Sequence, residues 1–199
     1  RIGVLEKTMS NTLSTSLYSD GTGTSGKEVG GLQLIVADAG SGTVGGINSS
    51  TYTFWQNAQT TATSSAFSTT NIQADMNTIY LSLVRGSDSP DLIMADTNAY
   101  KSFLGSLQAI QRVTSDRVAT SGFTSVQYLN SDVIFDDACP ANKMYFLNTD
   151  YLRLEVAANR NFVPGEAKMS VNQDAMVTPM FWSGNLTCSN RALQGVIHT

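Results

Sequence analysis

The spacing of apolar residues near the start of the chain predicts an amphipathic helix. Its apolar positions recur at intervals of three and four, which is the spacing of one helical face: Ile2, Leu5, Met9, Leu13 and Leu17. The helix is predicted to run to about Tyr18, where Asp20 and Gly21 end it. Beyond the Gly/Ser/Thr-rich loop that follows, Leu32–Ala37 reads as a buried strand or a short core segment.

A second helix is predicted in the middle of the chain, from about Asn71 to Arg85. Thr70 and Gln73 resemble a capping box at its start. Its apolar face consists of Ile72, Met76, Ile79, Tyr80 and Leu83. The polar stretch Gln59–Ser68 before it is predicted to be a connector without regular structure.

A buried strand and a third helix follow directly. Asp91–Ala95 is a short apolar run, and Asp96 or Thr97 is placed to cap the helix after it. The apolar face of this helix consists of Tyr100, Phe103, Leu104, Leu107 and Ile110. The unit of helix, strand and helix indicates part of a compact α/β subdomain.

The remainder of the chain is predicted to be rich in strands. The candidates alternate in polarity or form short apolar runs: Val126–Leu129, Asp132–Phe135, Lys143–Leu147, Leu152–Val156, and two more between Ala175 and Ile197. The C-terminal strands need partners that the helical middle does not supply. We therefore predict an α+β fold in two subdomains, with the N- and C-terminal segments sharing one of them.

The amino-acid composition favours some classes of function and argues against others. Hydrophobic residues make up 41% of the chain, but charged residues only 14%, against about 25% in typical soluble domains. A weakly charged surface suits packing against copies of the same chain, although some secreted β-rich proteins share this composition. The net charge of −4 and the absence of a basic run argue against specific nucleic-acid binding. No apolar run has the length of a membrane span, and none resembles a signal peptide.

A literal GxGxxG pattern at Gly40–Gly45 raises the possibility of a dinucleotide site. In such sites the glycines let a pyrophosphate approach the N-terminus of a helix. Here poor helix formers follow, from Gly46 to Tyr52, and no acidic residue lies about twenty positions on. We therefore predict a mobile loop that binds no cofactor, and keep a nucleotide-binding oxidoreductase as an alternative.

Other residues with catalytic potential have plainer interpretations. His198 is the only histidine and lies near the end of the chain, where we expect fraying rather than a catalytic site. Asp136-Asp137, with Asp132 nearby, could serve glycoside hydrolysis or bind a cation, but a turn before Pro140 is favoured. The spacing of Cys139 and Cys188 fits no metal motif, so two buried free thiols are predicted. We predict no catalytic, cofactor-binding or metal-binding residue.

Clustered aromatic residues are the remaining candidates for a binding site. Trp55 lies close to Tyr52 and Phe54, and Trp182 follows Phe181. They could form ligand platforms in a β-rich binding or adhesion module, which stays a second alternative. The simpler interpretation makes them anchors of the core or of a subunit interface.

The order of these elements resembles one family. The most distinctive segments are SPDLIMADTNAY, SDVIFDDACPANKMYFLNTDY and WSGNLTCSNRALQG, at about Asp91–Tyr100, Asp132–Tyr151 and Trp182–Gly195. They resemble the major capsid proteins of tailed bacteriophages and prophages, which have the Hong Kong 97-type shell fold. The resemblance covers nearly the whole chain and implies a capsid fold with a long spine helix and mixed sheets.

The resemblance also implies a division of the chain. Residues 1–65 and 151–199 would form the peripheral domain, which includes the spine helix, and residues 66–150 the axial domain. Members of the family carry an N-terminal arm and an extended loop before the spine helix, whereas this sequence begins at Arg1 within it. We expect an N-terminally truncated form that folds but yields monomers or small oligomers rather than closed shells.

The function implied by the resemblance is structural. The subunit would assemble into an icosahedral head that encloses double-stranded DNA, through contacts among hexamers and pentamers of itself. Scaffolding, portal or decoration proteins would be further partners, packaged DNA would be touched only non-specifically, and no membrane would be bound. The protein would be made in the cytoplasm of a bacterial host and would reside in the virion.

Overall fold

The computed structural model describes residues 2–107, 126–169, 174 and 176–199. The helices are α1 (Ile2–Ser16), α2 (Gly23–Gly26), α3 (Leu32–Ile35), α4 (Ile72–Leu83) and α5 (Thr97–Leu107). Single turns of 3₁₀-helix lie at Thr53–Trp55, Thr63–Ser65, Thr149–Tyr151 and Arg191–Leu193. The strands are β1 (Thr43–Val44), β2 (Ile47–Asn48), β3 (Ala58–Thr61), β4 (Leu92–Ala95), β5 (Val126–Tyr128), β6 (Ser131–Phe135), β7 (Lys143–Leu147), β8 (Leu152–Val156), β9 (Val163–Pro164), β10 (Lys168–Met169), β11 (Met176–Val177), β12 (Met180–Phe181), β13 (Gly184–Cys188) and β14 (Gly195–His198).

A mixed six-stranded sheet organises the body of the molecule. Its strand order is β3-β14-β7-β4-β6-β5. Strand β14 runs parallel to β3 and antiparallel to β7, while β4 runs parallel to β6 and antiparallel to β7. The helices and the mixed sheet confirm the predicted α+β class.

The core lies on both faces of this sheet because successive residues of a strand point in opposite directions. In β7, Met144 and Phe146 pack with the apolar faces of α4 and α5. Their neighbours Tyr145 and Leu147 pack on the other face, against Tyr18 and α3. Each fully buried side chain of this size contributes about 1.5–3 kcal/mol relative to an exposed one, so β7 is central to stability.

A long two-stranded ribbon, here called the arm, runs from residue 152 to residue 188. Strands β8 and β13 pair next to the body, then β9 with β12, and finally β10 with β11. Each of these three ladders has two strands. A two-stranded ribbon is only marginally stable by itself in water. The part of the arm formed by β9 to β12, here called the outer arm, is therefore stabilised little by its own strand pairing.

One local prediction left two interpretations open, and two others were wrong. Leu32–Ala37 is a short core segment and not a strand: it contains the short helix α3, with Leu32, Ile35 and Val36 buried. The predicted connector Gln59–Ser68 includes most of β3, an edge strand that needs little apolar character. Asn71 precedes α4 without a side-chain cap, so no capping box forms there. The predicted Ile110 position lies outside the described residues.

The other long elements agree with the sequence. Strands β4, β6, β7 and β8 and helices α1, α4 and α5 lie where periodicity placed them. Asp96 caps α5, because its Oδ1 accepts a hydrogen bond of 2.8 Å from the amide of Ala99. The N- and C-terminal segments contact each other as predicted: the amide of Gly30 donates to Oδ1 of Asn185 at 2.8 Å.

The division into residues 1–65 with 151–199 and residues 66–150 stays a prediction. One sheet crosses both proposed boundaries. Strands β3 and β14 lie outside residues 66–150 and extend the sheet that β4, β6 and β7 form within that range.

Candidate assembly surfaces

The most deeply buried cation among the described residues is Arg191, whose side chain is wholly inaccessible. Its Nε donates a hydrogen bond to the carbonyl of Ile35. Nη1 donates to Oγ of Ser49 at 3.3 Å and to the carbonyl of Trp55 at 3.4 Å, and Nη2 donates to the carbonyl of Ser41 at 3.4 Å. Arg191 therefore ties three stretches of backbone and the side chain of Ser49 to the segment before β14.

Every hydrogen bond that this guanidinium donates is accepted by a neutral oxygen. Burial lowers the pKa of Arg191, since a charged group is disfavoured away from water. The partial negative charges of three carbonyls and one hydroxyl offset that cost without a carboxylate. No periodic pattern in the sequence points to this residue, because its partners come from positions far apart in the chain.

The glycine-rich segment Gly40–Gly45 is structured by Arg191 rather than by a ligand. It forms the hairpin of β1 and β2, which turns at Gly45 and Gly46 with φ of +60° and +79°. The predicted mobile loop is therefore a β-hairpin. No helix begins after it, and the carbonyl of Ser41 points at a buried cation. The geometry lacks the helix N-terminus that a pyrophosphate requires.

The carboxylates of the Asp136-Asp137 turn have structural partners. Oδ1 of Asp136 accepts from the amide of Ala138 at 2.9 Å, which is the local turn bond that the sequence favoured. Oδ2 of Asp136 accepts from the hydroxyl of Tyr18 at 2.6 Å. Asp136 thus closes a turn and connects the end of α1 to the sheet.

His198 is not frayed, contrary to the prediction. It pairs with Thr61 of β3 and with Lys143 of β7 inside the six-stranded sheet. Its Nε2 lies 3.3 Å from Oε1 of Gln59, and no carboxylate accompanies it among its described contacts. The residue is part of the sheet framework.

Both cysteines are free thiols, but only Cys139 is buried as predicted, whereas Cys188 is half-buried. Burial, together with the charges of Asp96 and Asp136, raises the pKa of Cys139 to about 12. Burial also raises the pKa of Cys188. Neither thiol is therefore activated as a nucleophile near neutral pH. Across the described ranges, no group of three or more His, Cys, Asp and Glu side chains could hold a metal ion.

Several large apolar side chains are exposed among the described residues, including groups on α1, on the outer arm and around one 3₁₀ turn. Val4 and Leu5 lie in the first turns of α1, and the outer arm carries Met169 and Met176, each 73% exposed. Tyr52 and Phe54 form an exposed aromatic pair around the 3₁₀ turn Thr53–Trp55, with ring centroids 6.0 Å apart. Contiguous exposed apolar groups of this kind mark protein-binding surfaces.

Two concave regions complete the candidate surfaces. The larger, here called the α5 groove, has a volume of about 910 Å³ and runs between α5 and residues 65–69. The smaller, of about 370 Å³, lies between α1 and the base of the outer arm, beside Phe181 and Trp182. In the described part of the chain no helix is both long and apolar enough to cross a membrane.

Comparisons with known proteins agree with this arrangement. Residues 1–177 match the family described as SU10 major capsid protein. No curated protein matches the chain. The capsid asymmetric unit of Cyanophage A-1(L) superposes with a TM-score of 0.73 at 18% identity, over 96% of this chain and 65% of that chain. The holo-SrpI encapsulin complex of Synechococcus elongatus PCC 7942 gives a TM-score of 0.57 at 13% identity, over 98% of this chain and 63% of that chain.

These two likenesses establish a shared fold, and the chain spans somewhat less than two thirds of the length of either protein. The family match rests on the sequence itself and covers most of the chain. The matched residues include α1, most of the mixed sheet, and the arm as far as β11. This chain belongs to the SU10 major capsid protein family.

Proposed function

We propose that this chain acts as a structural subunit of a phage or prophage head, which assembles with copies of itself into an icosahedral shell around double-stranded DNA. The observation that carries the proposal is the family match over residues 1–177, together with a capsid fold over nearly the whole chain. The work of such a subunit is done by contact area and symmetry rather than by a reactive residue.

The disposition of polar groups supports a structural role. The side chains with catalytic potential hold the body together: Asp136 bonds to Tyr18, Asp96 caps α5, and Asp75 accepts from both the amide and hydroxyl of Thr63, at 3.0 and 2.6 Å. Meanwhile the apolar groups that a monomer would bury are exposed on α1, the aromatic pair and the arm. We infer that the protein is not an enzyme.

The finer assignments follow from the same proposal. Residues 66–150 would meet their copies around five-fold and six-fold positions, and residues 1–65 with 151–199 would form the periphery. The subunits would group into hexamers and pentamers, and packaged DNA would be contacted only non-specifically, since the net charge is −4. The protein would be made in the host cytoplasm and would reside in the virion, with scaffolding, portal or decoration proteins as further partners.

Particle imaging tests the proposal. The full-length gene product is expressed in bacteria, purified, and examined by negative-stain electron microscopy and by light scattering. Hollow particles of uniform size with five-fold and six-fold groupings are the expected result. A protein that stays monomeric at every concentration and salt strength, with and without co-expressed neighbouring genes, would contradict it.

A ligand titration separates the shell from the oxidoreductase alternative. Isothermal titration with NAD⁺, NADP⁺ and FAD is expected to give no binding at micromolar strength, because the glycine hairpin offers no helix N-terminus. Micromolar binding that Gly42→Val abolishes would support the alternative instead.

A further inference from the structure

We propose that copies of this chain join head to tail, with the aromatic pair Tyr52–Phe54 of one copy seated in the α5 groove of the next. The inference rests on the proposed shell function and adds to it the pair of surfaces that meet. It depends on three features of the molecule: a rigid aromatic projection, an apolar groove, and their placement at opposite ends of the same two strands.

The projection is exposed but firmly supported. Tyr52 is 53% exposed and Phe54 68%, and their ring planes are inclined at 59°. The neighbouring Trp55 is fixed by two hydrogen bonds: its carbonyl accepts from Nη1 of Arg191 at 3.4 Å, and its Nε1 donates to the carbonyl of Val44 at 3.2 Å. An aromatic pair fixed in this way loses little conformational freedom on binding, which favours its use as an interface anchor.

The α5 groove is apolar and large enough to receive aromatic rings. Its volume of about 910 Å³ falls within the range of about 300–1,000 Å³ that is usual for binding clefts. Its apolar walls are Phe67, Tyr100, Leu104 and Phe135, and the rings of Tyr100 and Phe135 lie 6.0 Å apart. An incoming aromatic side chain can therefore pack against other rings at the usual spacing.

The two features lie at opposite ends of the paired strands β3 and β14. These strands run parallel, so the residues before both of them share one end of the sheet. Tyr52 and Phe54 precede β3 on the side of Arg191, which precedes β14. Ser65 and Thr199, which line the groove, follow β3 and β14 at the other end.

A chain therefore cannot insert its own aromatic pair into its own groove. Two copies that meet through these unlike surfaces form a heterologous contact, which generates closed rings when the rotation between copies is suitable. This is the symmetry that hexamers and pentamers require.

The charge distribution favours a second copy as the occupant. Residues 39–74, which include the projection and one wall of the groove, contain no Asp, Glu, Lys, Arg or His. Lys101 is the charged residue among those that line the groove. Nucleic acid or an anionic lipid surface would need several cations, whereas a neutral aromatic projection needs none. The cores of protein interfaces show this depletion of charge and enrichment of aromatic residues.

Disulfide trapping between two different variants tests the contact. Thr53→Cys places a thiol between the two aromatic residues, and Ser102→Cys places one on the groove wall with almost no change of volume. When full-length proteins carrying these substitutions are mixed under mild oxidation, a covalent dimer is expected in the mixture. Each variant alone supplies the baseline for cross-linking through native cysteines or through like surfaces.

The control for this trap is Leu129→Cys mixed with Ser102→Cys, because Leu129 is exposed elsewhere on the molecule. A covalent dimer that forms as readily with the control, or in Thr53→Cys alone, would overturn the proposal. So would protection of Ser102→Cys from a small thiol reagent in the separated monomer, since the groove would then be filled within one chain.

A second measurement compares Phe54→Asp with Leu81→Asp. Both side chains are well exposed, at 68% and 70%, so both variants should retain the circular dichroism of the parent. Phe54→Asp is expected to weaken self-association at least tenfold in analytical ultracentrifugation, and Leu81→Asp to leave it unchanged. Normal particles from Phe54→Asp would reject this contact and leave the shell function intact, whereas a parent protein without particles would count against the function itself.

Discussion

The hydroxyl of Tyr18 donates a hydrogen bond of 2.6 Å to Oδ2 of Asp136, across 118 positions of sequence. The bond is short and ends on a carboxylate, as the stronger class of hydrogen bond does. It joins Tyr18, two residues beyond α1, to the turn after β6, and so helps to orient the helix on the body together with the backbone bond from Leu32 to Leu17.

We predict that Tyr18→Phe destabilises the protein. The variant keeps the buried ring but removes the donor to a carboxylate, for which about 1.5–3 kcal/mol is typical. Urea denaturation followed by circular dichroism measures the change. Tyr145→Phe is the matched control, because its ring centroid lies 6.1 Å from that of Tyr18 and its buried hydroxyl has no hydrogen-bond partner in the described structure. Equal losses in the two variants would contradict a specific role for the bond.

Replacement of Arg191 by methionine should lower stability severely. Methionine fills much of the volume but removes the donor to the buried carbonyl of Ile35, to the half-buried carbonyls of Ser41 and Trp55, and to the hydroxyl of Ser49. Each unsatisfied buried group costs about 1–3 kcal/mol, so a total above about 3 kcal/mol is expected.

Arg153→Met provides the comparison for that loss, since Arg153 lies exposed on β8 and should change stability little. Arg191→Lys should also fold poorly, because an ammonium cannot reach oxygens that are spread over four segments. A stable Arg191→Lys variant would show that charge alone is sufficient. Both outcomes are read from the denaturation midpoint.

The protein should lose stability at alkaline pH. Burial raises the pKa of Tyr128 and that of Cys139 to about 12, from ordinary values of 10.0 and 9.0, and it also raises those of Tyr18 and Tyr145. Below about pH 9 these groups are neutral in both states and their contribution to stability is complete. Above that pH the unfolded chain releases protons that the folded chain retains, so the free energy of unfolding falls.

Each such group adds a slope of up to about 1.4 kcal/mol per pH unit between its two pKa values. Denaturation midpoints measured from pH 7 to pH 11 would reveal the decline. Tyr18→Phe should flatten the curve above pH 10, and a midpoint that does not change across this range would contradict the prediction.

Cys139 should not react with thiol reagents in the native protein. It is buried, its Sγ lies 3.8 Å from the carbonyl of Lys143, and its raised pKa keeps the thiolate scarce at neutral pH. A chromogenic disulfide added at pH 7.5 should titrate Cys139 only after urea is added. Rapid reaction of Cys139 without denaturant, separated from Cys188 by the variant Cys188→Ser, would contradict it.

The sequence predicted the elements whose periodicity extends over several turns or whole strands. Helices α4 and α5 repeat an apolar face, and β4 and β7 are short apolar runs bounded by turn residues. The segments quoted for the family resemblance include β4, the start of α5 and β7, and also β6 and β13. Both kinds of signal depend on patterns contained within a single segment.

The features that were missed depend on partners far away in the chain. Strand β3 has the polar sequence AQTT and exists because β14 pairs with it, and Arg191 is buried because four distant segments turn their oxygens toward it. The short helix α3 is set by its surroundings too. The amide of Leu32 donates to the carbonyl of Leu17 at 2.7 Å, and the chain passes there through Gly31 because a Cβ would lie 2.2 Å from that carbonyl oxygen.

The position of β14 between β3 and β7 sets the order in which the molecule can be completed during synthesis. His198 and Gln59 are in contact although 139 positions separate them. Strand β3 can therefore pair with β14 only after residues 195–198 have been synthesised. Contacts between such distant residues form slowly, because a long loop must close first. The pairing among β4, β6 and β7 can form earlier, but Arg191 reaches the glycine hairpin only together with β14. A nascent chain that still lacks β14 would therefore also lack the support that Arg191 gives to the aromatic projection of the proposed contact.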